Sequence, residues 1–226
     1  MIMKAGLIVA VEIDALKTKY GEPVQIHHRH GREIMEYKTG DHELFVIDSG
    51  AGELKAAANT QLLISEFDVD VIFNFGVVGG LTGDMAVQRL CIVDQVIHYE
   101  YDTSPIDHTP IGSYPEFPSG YIPADRNLLE KATQILPDAK PVICASGEKF
   151  IADPAKKAEL HDKFNADICE MESAGILMTC SLSGIPCLML KMVSDSVEGG
   201  AEEFGKEVAN TSARCMDALD TLLASF

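Results

Sequence analysis

Apolar and polar positions along the chain alternate between two periods, and each stretch predicts an element. Residues 5–11 (AGLIVAV) form a continuous apolar run, which predicts a strand covered on both faces. Around residues 24–28, 34–37 and 44–48 the pattern alternates and predicts antiparallel strands joined at glycines. Residues 53–66 (ELKAAANTQLLISE) combine strong helix formers with apolar positions at helical spacing. A second buried strand is expected over residues 69–75 (VDVIFNF), running into a glycine-rich turn over residues 76–80. Residues 89–97 predict a strand that ends in the polar-aromatic string HYEYD at 98–102. Residues 103–123 hold several prolines and glycines without a period and predict a long loop, which is unusual in a compact domain unless it has a role.

The second half continues the alternation. Helices are expected over residues 127–136, 154–164 and 172–183, with strands over 141–145, 166–169 and 186–193. Asp153 reads as an N-cap before Pro154 at the first helical position, and Gly184 as a helix stop. Residues 202–226 read mostly as a closing helix. Strands alternating with helices, several of them apolar throughout, predict an α/β fold. The expected form is a three-layer α/β/α sandwich with a mixed, mostly parallel central sheet. No repeat or linker interrupts the 226 residues, so one domain is expected.

In open α/β sheets ligands bind beyond the carboxyl ends of the strands. Five predicted strand ends carry candidates: Glu12 and Asp14; Gly76 to Leu81; Ser146 to Ile151; Glu170 to Glu172; and Ser194 with Asp195. An acidic residue after a strand is often only a helix cap. Joint placement at one sheet edge is what makes these a candidate site.

Charge and composition then narrow the chemistry. The net charge of -17 repels phosphate backbones and argues against nucleic acid as a partner. The six cysteines (Cys91, Cys144, Cys169, Cys180, Cys187 and Cys215) form no C-x-x-C pair and sit among apolar neighbours. They predict buried free thiols in a reducing compartment. No metal-ligand spacing occurs. The start lacks a basic leader with a small-residue cleavage site, and no apolar run reaches the roughly 20 residues that span a bilayer. A cytoplasmic protein with no membrane partner is expected. No cofactor is expected either, since the 76–80 glycines lack both the G-x-G-x-x-G spacing and a P-loop lysine.

The strings at these strand ends resemble the nucleoside phosphorylase/nucleosidase superfamily, and most of all its methylthioadenosine/S-adenosylhomocysteine nucleosidases. The resemblance runs nearly the whole length. It includes SGAG at 49–52, NFGVVGGL at 74–81, SGEKFI at 146–151, EME at 170–172 and VSD at 193–195. It implies the nucleoside phosphorylase-type fold and a purine nucleoside as the small-molecule partner. Asp195 is implied as general acid at the purine N7, oriented by Ser194. Phe150 is implied to stack on the base and the Ile151 backbone to bond its edge. Met171 is implied beneath the ribose, and Glu172 at its hydroxyls, with Glu170 in the same string. Phe204 matches an aromatic of the family's lid. The water-activating carboxylate of the family is a Glu, and the aligned position is read as Asp14, with Glu12 as the alternative base. Val77 stands where a Ser is usual, and Lys191 where an Arg is usual.

These roles suit the chemistry. Cleaving a ribosyl–purine bond makes the sugar cationic while the base gains electrons. A carboxylic acid at N7 neutralises the leaving group, and a carboxylate beside the sugar favours the cation and aligns water. Burial after an apolar strand would favour the neutral acid at Asp195. A phosphorylase must instead hold a phosphate dianion, commonly with Arg and a hydroxyl donor. No Arg precedes Arg29 and no hydroxyl stands at Val77, which favours water over phosphate. A phosphate-dependent phosphorylase and a nucleoside-binding homologue with reduced turnover remain the alternatives. The segment 98–102 and the loop after it match a region that completes the neighbouring pocket in the related enzymes, which implies a homodimer.

Overall fold

The computed structural model of the chain describes residues 2–117 and 119–226. Met1, at the start of the apolar N-terminus, and Pro118 of the expected loop lie outside the described residues. The chain begins with β1 (Lys4–Val9) and α1 (Ile13–Tyr20). An antiparallel run follows: β2 (Gln25–Arg29), β3 (Arg32–Thr39) and β4 (His42–Asp48). Then come α2 (Glu53–Phe67), β5 (Val71–Gly80) and β6 (Leu90–His98). The expected loop after β6 contains the single turn α3 (Ser104–Asp107) and ends in the two-residue strand β7 (Ile122–Pro123). The rest alternates: α4 (Arg126–Ile135), β8 (Lys140–Ser146), α5 (Pro154–Phe164) and β9 (Ile168–Glu170). Finally come α6 (Ser173–Ser183), β10 (Cys187–Asp195) and α7 (Ala201–Leu223).

The strands form one mixed sheet of order β10-β6-β8-β9-β5-β1-β4-β3-β2, with β7 on β6 and an extra pairing of β10 with β5. That extra pairing closes five strands into a ring, while β1, β4, β3 and β2 extend it as an open wing. Parallel pairs join β1 to β4 and β5, β5 to β10, and β8 to β6 and β9. These pairs make two parallel sets, which meet antiparallel where β6 pairs with β10 and β9 with β5. The candidate residues gather where the carboxyl ends of β1, β5, β8, β9 and β10 come together.

Helices cover both faces because the strands alternate. Ala5, Leu7 and Val9 of β1 pack with Leu16 of α1 and Met216 and Leu219 of α7. Ile8 faces the other way, towards Ala56 and Leu63 of α2 and Ile176 of α6. A third cluster seats Leu160 and Phe164 of α5 against Ile97 and Ala145. Asp153 caps α5 by accepting from the Ala155 N–H at 2.9 Å, and Gly184 ends α6 in the left-handed region.

One expectation fails at residues 76–80. These glycines do not turn; β5 runs straight through them, fully buried. They are needed for close approach rather than for bending. A Cβ on Gly80 would overlap the Met85 carbonyl, and one on Gly76 would lie 2.8 Å from Glu12 Oε1. The expected long loop is likewise corrected by a helical turn and a short strand, the latter held by pairing of Val96 with Ile122.

Candidate active site

At these strand ends a cavity opens with about 620 Å³ of empty volume, mouth included. Small-molecule sites span roughly 300–1,000 Å³. Its wall includes Glu12, Val77, Phe150, Ile151, Glu170, Met171, Glu172, Ser194, Asp195 and Phe204. Nine of the ten site residues read from the sequence are therefore together. The tenth, Asp14, is not among them.

Asp14 is exposed on the first turn of α1 and faces a separate surface groove between α1 and α7. Glu12, the residue before that helix, occupies the cavity instead. It is 4% exposed. Its Oε1 accepts from the Val77 N–H at 2.8 Å and its Oε2 from the Val11 N–H at 3.0 Å. The correction follows from where β1 stops. The strand ends at Val9, so Glu12 still borders β5, whereas Asp14 has entered the helix and turned outward. The bare face of Gly76 leaves room for the Glu12 carboxylate. Burial raises the Glu12 pKa, partly offset by the Val77 N–H and the charge of Lys191. Val77 thus contributes its backbone donor, for which a Val serves as well as a Ser.

Glu170, Glu172 and Lys191 form a buried network behind Glu12. Lys191 Nζ lies 3.0 Å from Glu170 Oε2. Glu170 also accepts from the N–H groups of Glu172 and Ser173 at the start of α6. Burial would raise its pKa, but Lys191 and hydrogen bonds from Ser146 and Ser173 bring it below the usual value. Glu170 lines the cavity, yet its carboxylate is turned to Lys191 and the helix start. Glu172 has no lysine of its own. Its Oε1 accepts from the Gly52 N–H at 2.9 Å. Burial and the neighbouring Glu170 charge push it up to about 8. Lys191 is held above its usual value: burial works against its charge, and Glu170 and Glu172 outweigh that.

The opposite end is built by β10. The ladder between β10 and β5 is regular to Val193–Val78, then shifts so that Asp195 pairs with Gly79 and Ser194 is the extra residue. Such irregularities re-aim side chains. Asp195 is 1% exposed, and its Oδ1 lies 3.0 Å from Ser194 Oγ. Its Oδ2 lies 2.6 Å from Nζ of Lys157, a fully buried residue of α5. Within the helix expected over residues 154–164, Lys157 had no role assigned from the residues. The signal was present: Lys157, Leu160 and Phe164 fall at helical spacing on one stripe, so a lysine occupies an apolar face. Phe150, 46% exposed at the mouth, meets Phe204 edge-on with ring centres 5.3 Å apart. Among the described residues no cluster of three or more His, Cys, Asp or Glu has the placement to hold a metal ion.

Comparison with known proteins agrees with this architecture. The chain matches the Phosphorylase superfamily over residues 4–226. It is 30% identical to a 5'-methylthioadenosine/S-adenosylhomocysteine nucleosidase of Staphylococcus aureus, covering 95% of this chain and 97% of that one. It is 29% identical to an aminodeoxyfutalosine nucleosidase of Campylobacter jejuni, covering 93% and 94%. A crystal structure of a 5'-methylthioadenosine/S-adenosyl homocysteine nucleosidase from the same organism superposes with a TM-score of 0.90 at 26% identity, covering 99% and 100%.

Proposed function

The chain belongs to the phosphorylase superfamily, and from that premise we propose that it hydrolyses the N-glycosidic bond of an adenine nucleoside of the methylthioadenosine/adenosylhomocysteine kind. The observation that carries the reading is the placement of Glu12 and Asp195 along one strand. Glu12 bonds the N–H of Val77, and Asp195 stands opposite Gly79. Those two positions of β5 are roughly 7 Å apart. A nucleoside lying between them meets a carboxyl group at each end of the bond to be broken.

The work divides accordingly. Phe150 and Phe204 close on the base at the mouth. Asp195 gives its proton to the purine N7 as the C–N electron pair passes to the base. Met171 lies under the ribose, and Glu172 accepts from its hydroxyls. Glu12 aligns a water and takes its proton as the water attacks C1'. Burial makes charge costly on Glu12 and Glu172, and a cationic sugar offsets that cost. The acidic pair therefore favours the transition state over the neutral substrate. Asp195 opposes pyrimidines, which lack N7.

Water rather than phosphate is favoured by the cations present. Lys149 on the cavity wall is already engaged with Glu100, and Lys191 behind it with Glu170. A phosphate dianion would meet Glu12, Glu170 and Glu172 with no arginine on the cavity wall.

A second copy of the chain is the partner we infer. Helix α6 has no charged residue in its eleven positions, yet it packs beside α2 in an outer layer. Leu54 of α2 and Leu182 of α6 are 81% and 72% exposed. An uncharged helix beside α2, with an exposed leucine on each, suits a self-complementary dimer contact. A cytoplasmic location is supported by six buried free thiols, which persist in reducing compartments.

Methylthioadenosine, adenosylhomocysteine, aminodeoxyfutalosine, adenosine, inosine and uridine, each incubated with the protein, test the assignment by chromatography of the released base. Adenine from the first two substrates is the expected product. Release from uridine, or from no nucleoside at all, would contradict it.

A further inference from the structure

We propose that Lys157 is a positioning residue: it fixes Asp195 against segment 196–199 and stabilises the carboxylate that Asp195 becomes when its proton leaves. The proposal rests on the reading of Asp195 as the proton donor.

The Lys157 ammonium lies 2.6 Å from Asp195 Oδ2, 2.5 Å from the Ser196 carbonyl and 3.1 Å from the Gly199 carbonyl. Three acceptors meet three N–H donors. A neutral amine has only two donors and would leave one buried acceptor unpaired, so this geometry suits the cation. The side chain is wholly inside, where screening by water is weak.

The other oxygen of Asp195 is treated differently. Ser194 Oγ lies 3.0 Å from Asp195 Oδ1 and 3.2 Å from the Val78 carbonyl. One hydroxyl proton serves two acceptors. With Asp195 ionised, Ser194 can donate to Oδ1. With Oδ1 protonated, the acid donates to Ser194 Oγ and the hydroxyl turns to the Val78 carbonyl. Ser194 therefore fits both protonation states, whereas Lys157 fits Oδ2 only as an unprotonated oxygen. This assigns the transferable proton to Oδ1. When it passes to N7, the O–H bond breaks, the N–H bond forms, and the new carboxylate already has an ammonium in contact. Such stabilisation requires no reorganisation at the moment of reaction.

The charged and titratable groups around Asp195 do not duplicate this role. Strand β9 presents the Cys169 thiol, pushed up to about 12 by burial and therefore neutral, with Glu170 beyond it. From α7, Glu203 accepts from the Ser196 N–H and hydroxyl at 2.7 and 2.8 Å and fixes the same segment. At the pairing position β5 offers only Gly79. Lys149, Glu12 and Glu172 complete the cavity wall. Lys157 is the cation in direct contact. It also links the acid to the segment leading into α7 and Phe204, and so to the base-holding mouth.

The test titrates Asp195 directly, by carboxyl carbon NMR of aspartate-labelled protein, with Asp195→Asn identifying its signal. The full chain is compared with Lys157→Met, Lys157→Gln and Lys157→Arg. Gln keeps two donors for the loop carbonyls and removes the charge, and so serves where Met does not fold. In Met or Gln the Asp195 carboxyl is expected to titrate about one pH unit higher or more. With a nucleoside substrate, kcat falls ~10-fold or more, KM moves less than about threefold, and the alkaline limb of the kcat profile shifts to higher pH. Arg restores most of both. An Asp195 titration unmoved in the Gln variant, or an alkaline limb moving to lower pH, would overturn the proposal. Wild-type protein that releases no base while the titration still shifts would overturn the hydrolase reading and leave the Lys157–Asp195 coupling supported.

Discussion

At the β10 end of the cavity Lys157 touches Asp195 directly, whereas at the β1 end Lys191 reaches Glu170 and leaves Glu12 and Glu172 to backbone donors. Both ends bury carboxyl groups near one lysine, but the lysine acts on different members. At the first end it faces the group that must give up a proton and become an anion. At the second it neutralises a bystander. Glu12 and Glu172 then hold protons more readily than usual until positive charge arrives. The same ingredients thus yield an acid whose anion is stabilised and a base that responds to a cationic sugar. Separating two carboxyl groups in this way is how one site runs acid and base chemistry at one pH.

Substitutions at the two ends can break or sharpen this contrast. The largest effect is expected from Asp195→Asn, which keeps the shape and removes the transferable proton. Turnover should fall by about 10²–10⁴-fold with nucleoside binding retained, measured by single-turnover base release and ligand titration. A variant within tenfold of wild type would remove Asp195 from the chemistry. Next, Glu12→Gln should cost about 10²-fold in kcat, while Asp14→Ala stays within about twofold. The reverse order would return the base to Asp14 and undo the contrast.

Glu172 gives a smaller effect on stability, with a definite sign. The folded chain holds its proton up to about pH 8, whereas the unfolded group ionises near 4.5. Between these values the folded state binds more protons, so stability falls as pH rises. Glu172→Gln removes that titration. The variant should gain in melting temperature relative to wild type as pH goes from about 5 to 8, at about 2–4 °C per kcal/mol. A difference that is flat with pH would show that Glu172 is not strained by burial. The smallest effect belongs to the helix that carries Lys157. Asp153→Ala removes the cap of α5 at a cost of about 1 kcal/mol, read as a drop of about 2–4 °C by calorimetry. Its pH profile should match wild type, which separates loss of α5 stability from loss of the Lys157 charge.

Much of this could be read from the residues. The apolar run of β1, the alternation of β2 to β4, and the Asp153–Pro154 start of α5 are local signals, and each element forms where its signal lies. The strings at the strand ends gave eight of the residues that line the cavity, and the match to the lid gave Phe204. Local signals failed where a distant neighbour decides. Glycines at 76–80 suggested a turn because a turn is their commonest use; the approach of Glu12 and Met85, remote in sequence, makes them strand residues instead. Glu12 and Asp14 are two residues apart, and the end of β1 determines which one faces inward. Lys157 on an apolar stripe was legible as an anomaly, but its partner Asp195 lies 38 positions away and only the fold brings them together.

The most direct test of the central claim, that water attacks a sugar made cationic between Glu12 and Asp195, is mass spectrometry of the sugar product with saturating phosphate present. The account expects the free sugar alone, at a rate equal to that without phosphate. A sugar 1-phosphate, or turnover that stops when phosphate is removed, would contradict it.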